Sequence, residues 1–163
     1  MVHGSDIKME RSLILRVALA VALAGCTPGV MCAMRAADQP SIEELKGRVA
    51  HASVADRPPL CLQIAERQLQ EVGKFYGAGD SDKAQAALMD VVTFAGLDRD
   101  YSIQSHKHEK QSEIAIRKMA RKLADVKHAT SHEDQEQIQS AIDRLQQIRD
   151  DLLTAMFPKA GKR

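Results

Sequence analysis

From Leu60 to Phe157 the chain runs for 98 residues without a proline. The same stretch has no β-branched or aromatic run alternating with polar residues, the pattern a half-buried strand needs. Apolar side chains recur instead three and four positions apart, which places them on one face of a helix turning every 3.6 residues. A length of 163 residues suits one domain. The sequence therefore predicts an all-α fold.

Turn chemistry places the boundaries. Ser41-Ile42-Glu43-Glu44 is a capping box that opens a short helix over 41–51. Asp56-Arg57-Pro58-Pro59 opens the next, over 58–77, because proline is tolerated in a first turn and Asp56 can accept from its free N–H groups. Leu62, Ala65, Leu69, Val72 and Tyr76 line one face of it. Gly77-Ala78-Gly79-Asp80 then interrupts, with glycine supplying positive φ and Asp80 or Ser81 capping the following helix.

That following segment is the least constrained. Ala84, Leu88, Val91 and Ala95 form one apolar stretch, and Ile116, Met119, Leu123 and Val126 a second. The two are in phase, since 84 to 119 is 35 residues, five heptads. Between them the stripe is polar: Asp98, Ser102, Ser105, Glu109 and Ser112. Residues 97–127 hold neither Gly nor Pro. The expectation is one continuous helix over 81–128 with a polar waist, ~72 Å long at 1.5 Å per residue, flanked by antiparallel helical hairpins. The alternative is a break near Ser105–His108 and a compact four-helix bundle. A last helix over 133–157, begun by Ser131-His132-Glu133-Asp134, carries Ile138, Ala141, Ile142, Leu145, Ile148, Leu152 and Met156 and ends at Phe157-Pro158, leaving 158–163 as a tail. Residues 107–127 hold seven basic and three acidic side chains, and residues 132–151 six acidic and two basic. Opposite charges of +4 and −4 favour pairing these two segments, although each exposed pair contributes only ~0.2–1 kcal/mol. The elongated form would leave apolar surface uncovered, which implies self-association or a protein partner.

The N-terminus reads as an export signal. Met9 to Arg16 (MERSLILR) places two arginines before the apolar run Val17–Gly25. Nine residues are too few to span a bilayer, which takes ~20, and suit a signal-peptide core. Met9 is then the expected true start, 1–26 the signal peptide and 27–40 a flexible tether. Leu23-Ala24-Gly25-Cys26 resembles the bacterial lipobox, which implies lipidation of Cys26, and Thr27 after it implies the outer membrane. Ala22-Leu23-Ala24 equally fits ordinary cleavage. The expected location is periplasmic or anchored to the outer membrane. In an oxidising compartment Cys32 and Cys61 are able to pair, but Cys61 reads more simply as a small apolar residue on a helix.

Phe75-Tyr76-Gly77-Ala78-Gly79-Asp80-Ser81-Asp82-Lys83-Ala84 resembles the turn of a tetratricopeptide repeat, where a small alanine lets two helices approach. Glu71-Val72 departs from that pattern and no second copy lies 34 residues away, so the resemblance implies a single helical-hairpin turn. Across the chain, DRPPLCLQIAERQL (56–69), KHEKQSEIAIRKMARKL (107–123) and AIDRLQQIRDDLL (141–153) resemble exported bacterial helical proteins of unknown function. That implies export and helices, and no activity.

The chemistry-bearing residues are few. Net charge is +1 and there is no Trp, so neither a basic footprint nor a stacking platform points to nucleic acid. His106, His108, His128 and His132 are the candidate metal ligands. His106 and His108 would diverge on a helix, and 128 and 132 straddle a turn. Gly77-x-Gly79 lacks the GK[ST] and the strand of a phosphate loop, no Cys-x-x-Cys is present for redox or haem chemistry, and no nucleophile sits in a catalytic motif. The expectation is a protein with no catalytic residues and no cofactor: an exported, non-catalytic interaction or scaffold component of the cell envelope. The alternative is a periplasmic metal- or ligand-binding helical protein.

Overall fold

The computed structural model describes residues 39–158. The expected signal peptide with Met9, Cys26 and Cys32, the tether as far as residue 38, and the tail beyond Pro158 lie outside the described residues. Residues 40–158 belong to one unit. Among the described residues it is all-helical: α1 (Ile42–His51), a 3₁₀ turn (Val54–Asp56), α2 (Arg57–Gly77), α3 (Ser81–Ser105), α4 (Glu109–Ala129) and α5 (His132–Met156).

Local chemistry accounts for most of the ends. Ser41 Oγ accepts from the Glu44 N–H at 3.1 Å, as the capping box predicts. Asp80 accepts from the Lys83 N–H and starts α3. Pro58 and Pro59 occupy the first turn of α2, but Asp56 makes no side-chain cap. It closes the 3₁₀ turn instead, accepting from Ser53 Oγ at 2.6 Å. Ser131 likewise does not cap α5 with its side chain; its hydroxyl donates to Asp134 at 2.8 Å.

The continuous helix over 81–128 is corrected. The chain breaks at His106-Lys107-His108, at the place the alternative put it, and α3 and α4 are separate helices. The end of α3 is built like the end of α2. At α2 the Asp80 N–H bonds Phe75 O and the Gly79 N–H bonds Tyr76 O, with Gly79 at φ 75°. At α3 the Lys107 N–H bonds Ser102 O and the His106 N–H bonds Ile103 O, with His106 at φ 52°. Both are Schellman closures. Histidine is among the side chains that tolerate the left-handed region, so the helix ends without a glycine. Ser105 Oγ, donating to Tyr101 O at 2.7 Å, weakens the helix at the same point. His108 is also left-handed, at φ 67°, and leads into α4.

The break turns one long stripe into two layers. The hairpin α2–α3 packs on the hairpin α4–α5 around one core, in which Ala65, Val72, Val91, Ala95, Ile116, Leu123, Ile138, Leu145 and Leu152 are fully buried. A second cluster, Leu45, Val49, Cys61 and Ile64, seats α1 on the outer side of α2, with Phe94 shared between the two. Many core positions are alanine or valine, so the helices approach closely. The basic and acidic segments do pair as α4 and α5. The ion pair that joins them runs against the net charge, however: Glu113 of the basic helix binds Arg149 of the acidic one at 2.7 Å.

Two glycines at the α2–α3 turn separate conformation from packing. A Cβ at Gly77 or at Gly79 meets nothing within 4 Å, but only Gly79 has positive φ. Gly79→Ala is expected to cost about 1 kcal/mol, and Gly77→Ala to be neutral or stabilising by up to ~1 kcal/mol. Urea unfolding of both variants checks this, and equal effects would contradict it.

Candidate functional site

The polar waist is buried. Asp98, Ser102 and Ser112 are each 0% exposed, where the corner at His106–His108 folds α4 back against α3. Ser112 Oγ donates to Asp98 Oδ1 at 2.9 Å, Ser102 Oγ reaches the same oxygen at 3.5 Å, and the two hydroxyls lie 3.0 Å apart. Asp98 Oδ2 has no hydrogen-bond partner. Burial pushes the Asp98 carboxyl up to about 7, against the opposing pull of the Ser112 and Ser102 hydroxyls and of His108. A carboxyl in a dry site with one satisfied oxygen favours its neutral form.

Cys61 of α2, packed with Leu45, Val49 and Ile64, lies near enough to Asp98 to feel its charge. It is a free thiol and fully buried. Burial, with the Asp98 carboxyl adding to it and Arg57 opposing it, pushes the thiol up to about 12. It stays protonated and is a packing residue rather than a nucleophile. Arg57 stacks over Tyr101 at 5.0 Å and donates to Ala52 O at 3.1 Å, which ties the 3₁₀ turn to α3.

The second feature is a groove along the seam of α3 and α5. One part, of about 480 Å³, has Leu88, Met89 and Ala141 in its lining with Gln85, Glu136 and Gln137. The other, of about 320 Å³, is lined by Gly96, Leu97, Ile148, Arg99 and Asp100 among others. Val92, Thr93 and Arg144 belong to both, so the two are continuous. Met89 is 65% exposed beside it, against 5% and 4% for its neighbours Ala87 and Leu88. At one end of the groove, Arg99 reaches across from α3 to Asp151 of α5 at 2.8 Å.

The candidate ligand histidines do not assemble. His106 and His108 fall in the corner rather than inside a helix. The exposed His106 lies 3.9 Å from Glu109, and His108 Nδ1 is 2.9 Å from Gln111 Oε1. His128 is in the last turn of α4 and His132 is the first residue of α5. Among the described residues no group of three or more His, Cys, Asp or Glu side chains is placed to hold a metal, and no helix is long and apolar enough to cross a membrane. Cys26 lies outside the described residues. Sequence reasoning marked Asp98, Ser102 and Ser112 only as polar stripe positions. Their lying in phase with two apolar stretches was the signal that they face inward.

The described residues thus define a five-helix, all-α bundle unit with a buried polar corner and an open helical seam. No protein-family model, no curated protein and no solved structure matches the chain.

Asp98 makes stability depend on pH in a direction opposite to that of a salt-bridged carboxylate. Its folded value, about 7, lies above the 3.8 of an ordinary aspartate. Between these limits the folded state holds a proton that the unfolded state has released, so stability falls as pH rises from about 4 to 7 and then levels off. The full difference is on the order of 4 kcal/mol. Urea unfolding at pH 5 and pH 8 is expected to show the unsubstituted protein weaker at pH 8. Asp98→Asn, which cannot ionise and offers an N–H in place of the unpaired oxygen, is expected to remove most of that difference. Parallel pH profiles for the two proteins would contradict the assignment.

Proposed function

We propose that this chain is an exported, non-catalytic interaction protein of the bacterial cell envelope, which holds a helical segment of a partner protein along the α3–α5 groove. The groove is the observation that carries the reading. From Gln85 to Arg99 it follows α3 for about 21 Å at 1.5 Å per residue. Its floor is apolar at Leu88, Val92, Ala141 and Ile148, small at Gly96 and Ser140, and polar along its rims at Gln85, Glu136, Gln137 and Arg144. A long, narrow, apolar floor between polar rims is the shape that an amphipathic helix fills. The exposed Met89 adds a flexible, polarisable side chain of the kind that adapts to a partner. Export rests on the arginines and apolar run of residues 11–25, and anchoring on Cys26.

The test is a photo-crosslinking residue placed at Met89 in the full chain, expressed in its own cells, with Lys122 on the exposed side of α4 as control. The expected result is an adduct from 89 and none from 122, with the crosslinked peptide showing apolar residues at i, i+3, i+4 and i+7. The chain carrying it is expected in the envelope fraction, cleaved before or within residues 22–26. Equal adducts from both positions, or a chain with its first 26 residues intact in the cytosolic fraction, would reject the reading.

A further inference from the structure

The corner between α3 and α4 is held in a conformation that its own sequence disfavours. His106 and His108 both carry a β-carbon and both sit at positive φ, a region that such residues adopt only at a cost. Residues 97–127 offer no Gly or Pro to break a helix. The buried stripes on either side, Ala84 to Ala95 and Ile116 to Leu123, stay in phase across the corner. A straight segment from α3 into α4 would therefore be an ordinary helix that keeps both stripes on one side.

Straightening has a definite consequence. On one helix Asp98 and Ser112 would stand about 21 Å apart, at 14 residues and 1.5 Å each, so their 2.9 Å contact exists only across a fold-back. The α4–α5 hairpin would leave the α2–α3 hairpin, and both would expose the faces that now meet at Leu69, Val72, Leu88, Val91, Ile116 and Ile138. The surface that matches each exposed face is the one it has just left. A second copy of the chain, opened in the same way, carries that surface in the same register.

We propose that this chain forms a domain-swapped dimer in which residues 109–156 of each copy pack on the α2–α3 hairpin of the other, with 81–129 as one continuous helix. The contacts between the two hairpins re-form between chains, those within each hairpin stay as they are, and only the corner differs. That is the condition under which exchange of an identical element is a low-cost route to a dimer. The inference goes beyond the partner groove and does not depend on export.

The test uses a contact that joins one hairpin to the other. Ser81 Oγ donates to Asp134 Oδ2 at 3.0 Å, so S81C with D134C, in the full chain with C26A, C32A and C61A, places a disulfide there. In a closed monomer that bond is internal. In the swapped dimer two such bonds tie the chains into one covalent dimer, read on a non-reducing denaturing gel after refolding at high concentration and oxidation. The expected result is a dimer band whose share rises at least fivefold with H106A and H108A, which favour helix. It is expected to fall at least fivefold with H106G and H108G, which supply the residue that tolerates positive φ and that stands at 79, the position equivalent to 106. Internal disulfide alone in all three hinge forms, a dimer share that ignores the hinge, or a ladder without a discrete dimer would each overturn the proposal. Small-angle scattering on dimers without the added cysteines gives a second reading, since a continuous 81–129 helix is about 74 Å long. A dimer too short to contain it would also overturn the proposal.

Discussion

The contact between Asp98 and Ser112 is made across the turn from α3 to α4, and within one chain it exists only when that turn is closed. The core of the unit depends on the same closure. α3 and α4 each carry half of an apolar stripe, and neither half can be covered by the other unless the chain reverses between them. With the reversal in place, α5 returns antiparallel to α4, the two hairpins lie face to face, and one cluster gathers residues from α2 to α5. Aromatic side chains play a minor part in this, since there are only three Phe and two Tyr and no Trp. The stabilisation comes from many small contacts between closely approaching Ala, Val, Leu and Ile positions.

Helices and most of their ends were readable in the sequence because they are set locally. Capping at Ser41 and Asp80 and a positive φ at Gly79 each depend on a few adjacent residues. The fully buried members of the last stripe, Ile138, Leu145 and Leu152, stand where the 3.6-residue period puts them. The corner at 106–108 was readable only as an alternative. Its closure has the same backbone hydrogen bonds as the one at Gly79, but histidine fills the left-handed position, and histidine leaves no mark in a search for Gly and Pro. Tertiary packing, rather than local propensity, decides that end of α3.

The buried corner was hidden for a related reason. Asp98, Ser102 and Ser112 belong to the polar waist expected on a continuous helix, and Asp and Ser are ordinarily exposed. Their phase with Ala95 and Ile116 was evidence of the opposite. The period of a helix states which face a residue lies on, and the face that α3 and α4 bury is the one these three occupy. The hinge histidines present the mirror case. Chemistry made them candidate ligands, whereas their place in the chain makes them backbone residues at a turn. The groove beside Met89 was not readable at all, because it belongs to the seam of two helices with the whole of α4 between them in the chain, and no local pattern encodes it.

A carboxyl in a dry corner is a poor source of stability, since an apolar side chain of similar size would avoid the cost of burying it. Its value lies in selectivity between arrangements. In the closed unit Asp98 finds Ser112 and Ser102. With the corner open, Ser112 is carried away along its own helix and Asp98 keeps only Ser102 of its own turn until another chain supplies the missing hydroxyl. Apolar residues at these three positions would adhere to any apolar face and would leave the register of α4 on α3 free to slide. A hydrogen-bonded acid with two serines accepts one register. The same cluster that costs the fold stability therefore specifies which surface closes against α3, whether that surface comes from its own chain or from a second copy.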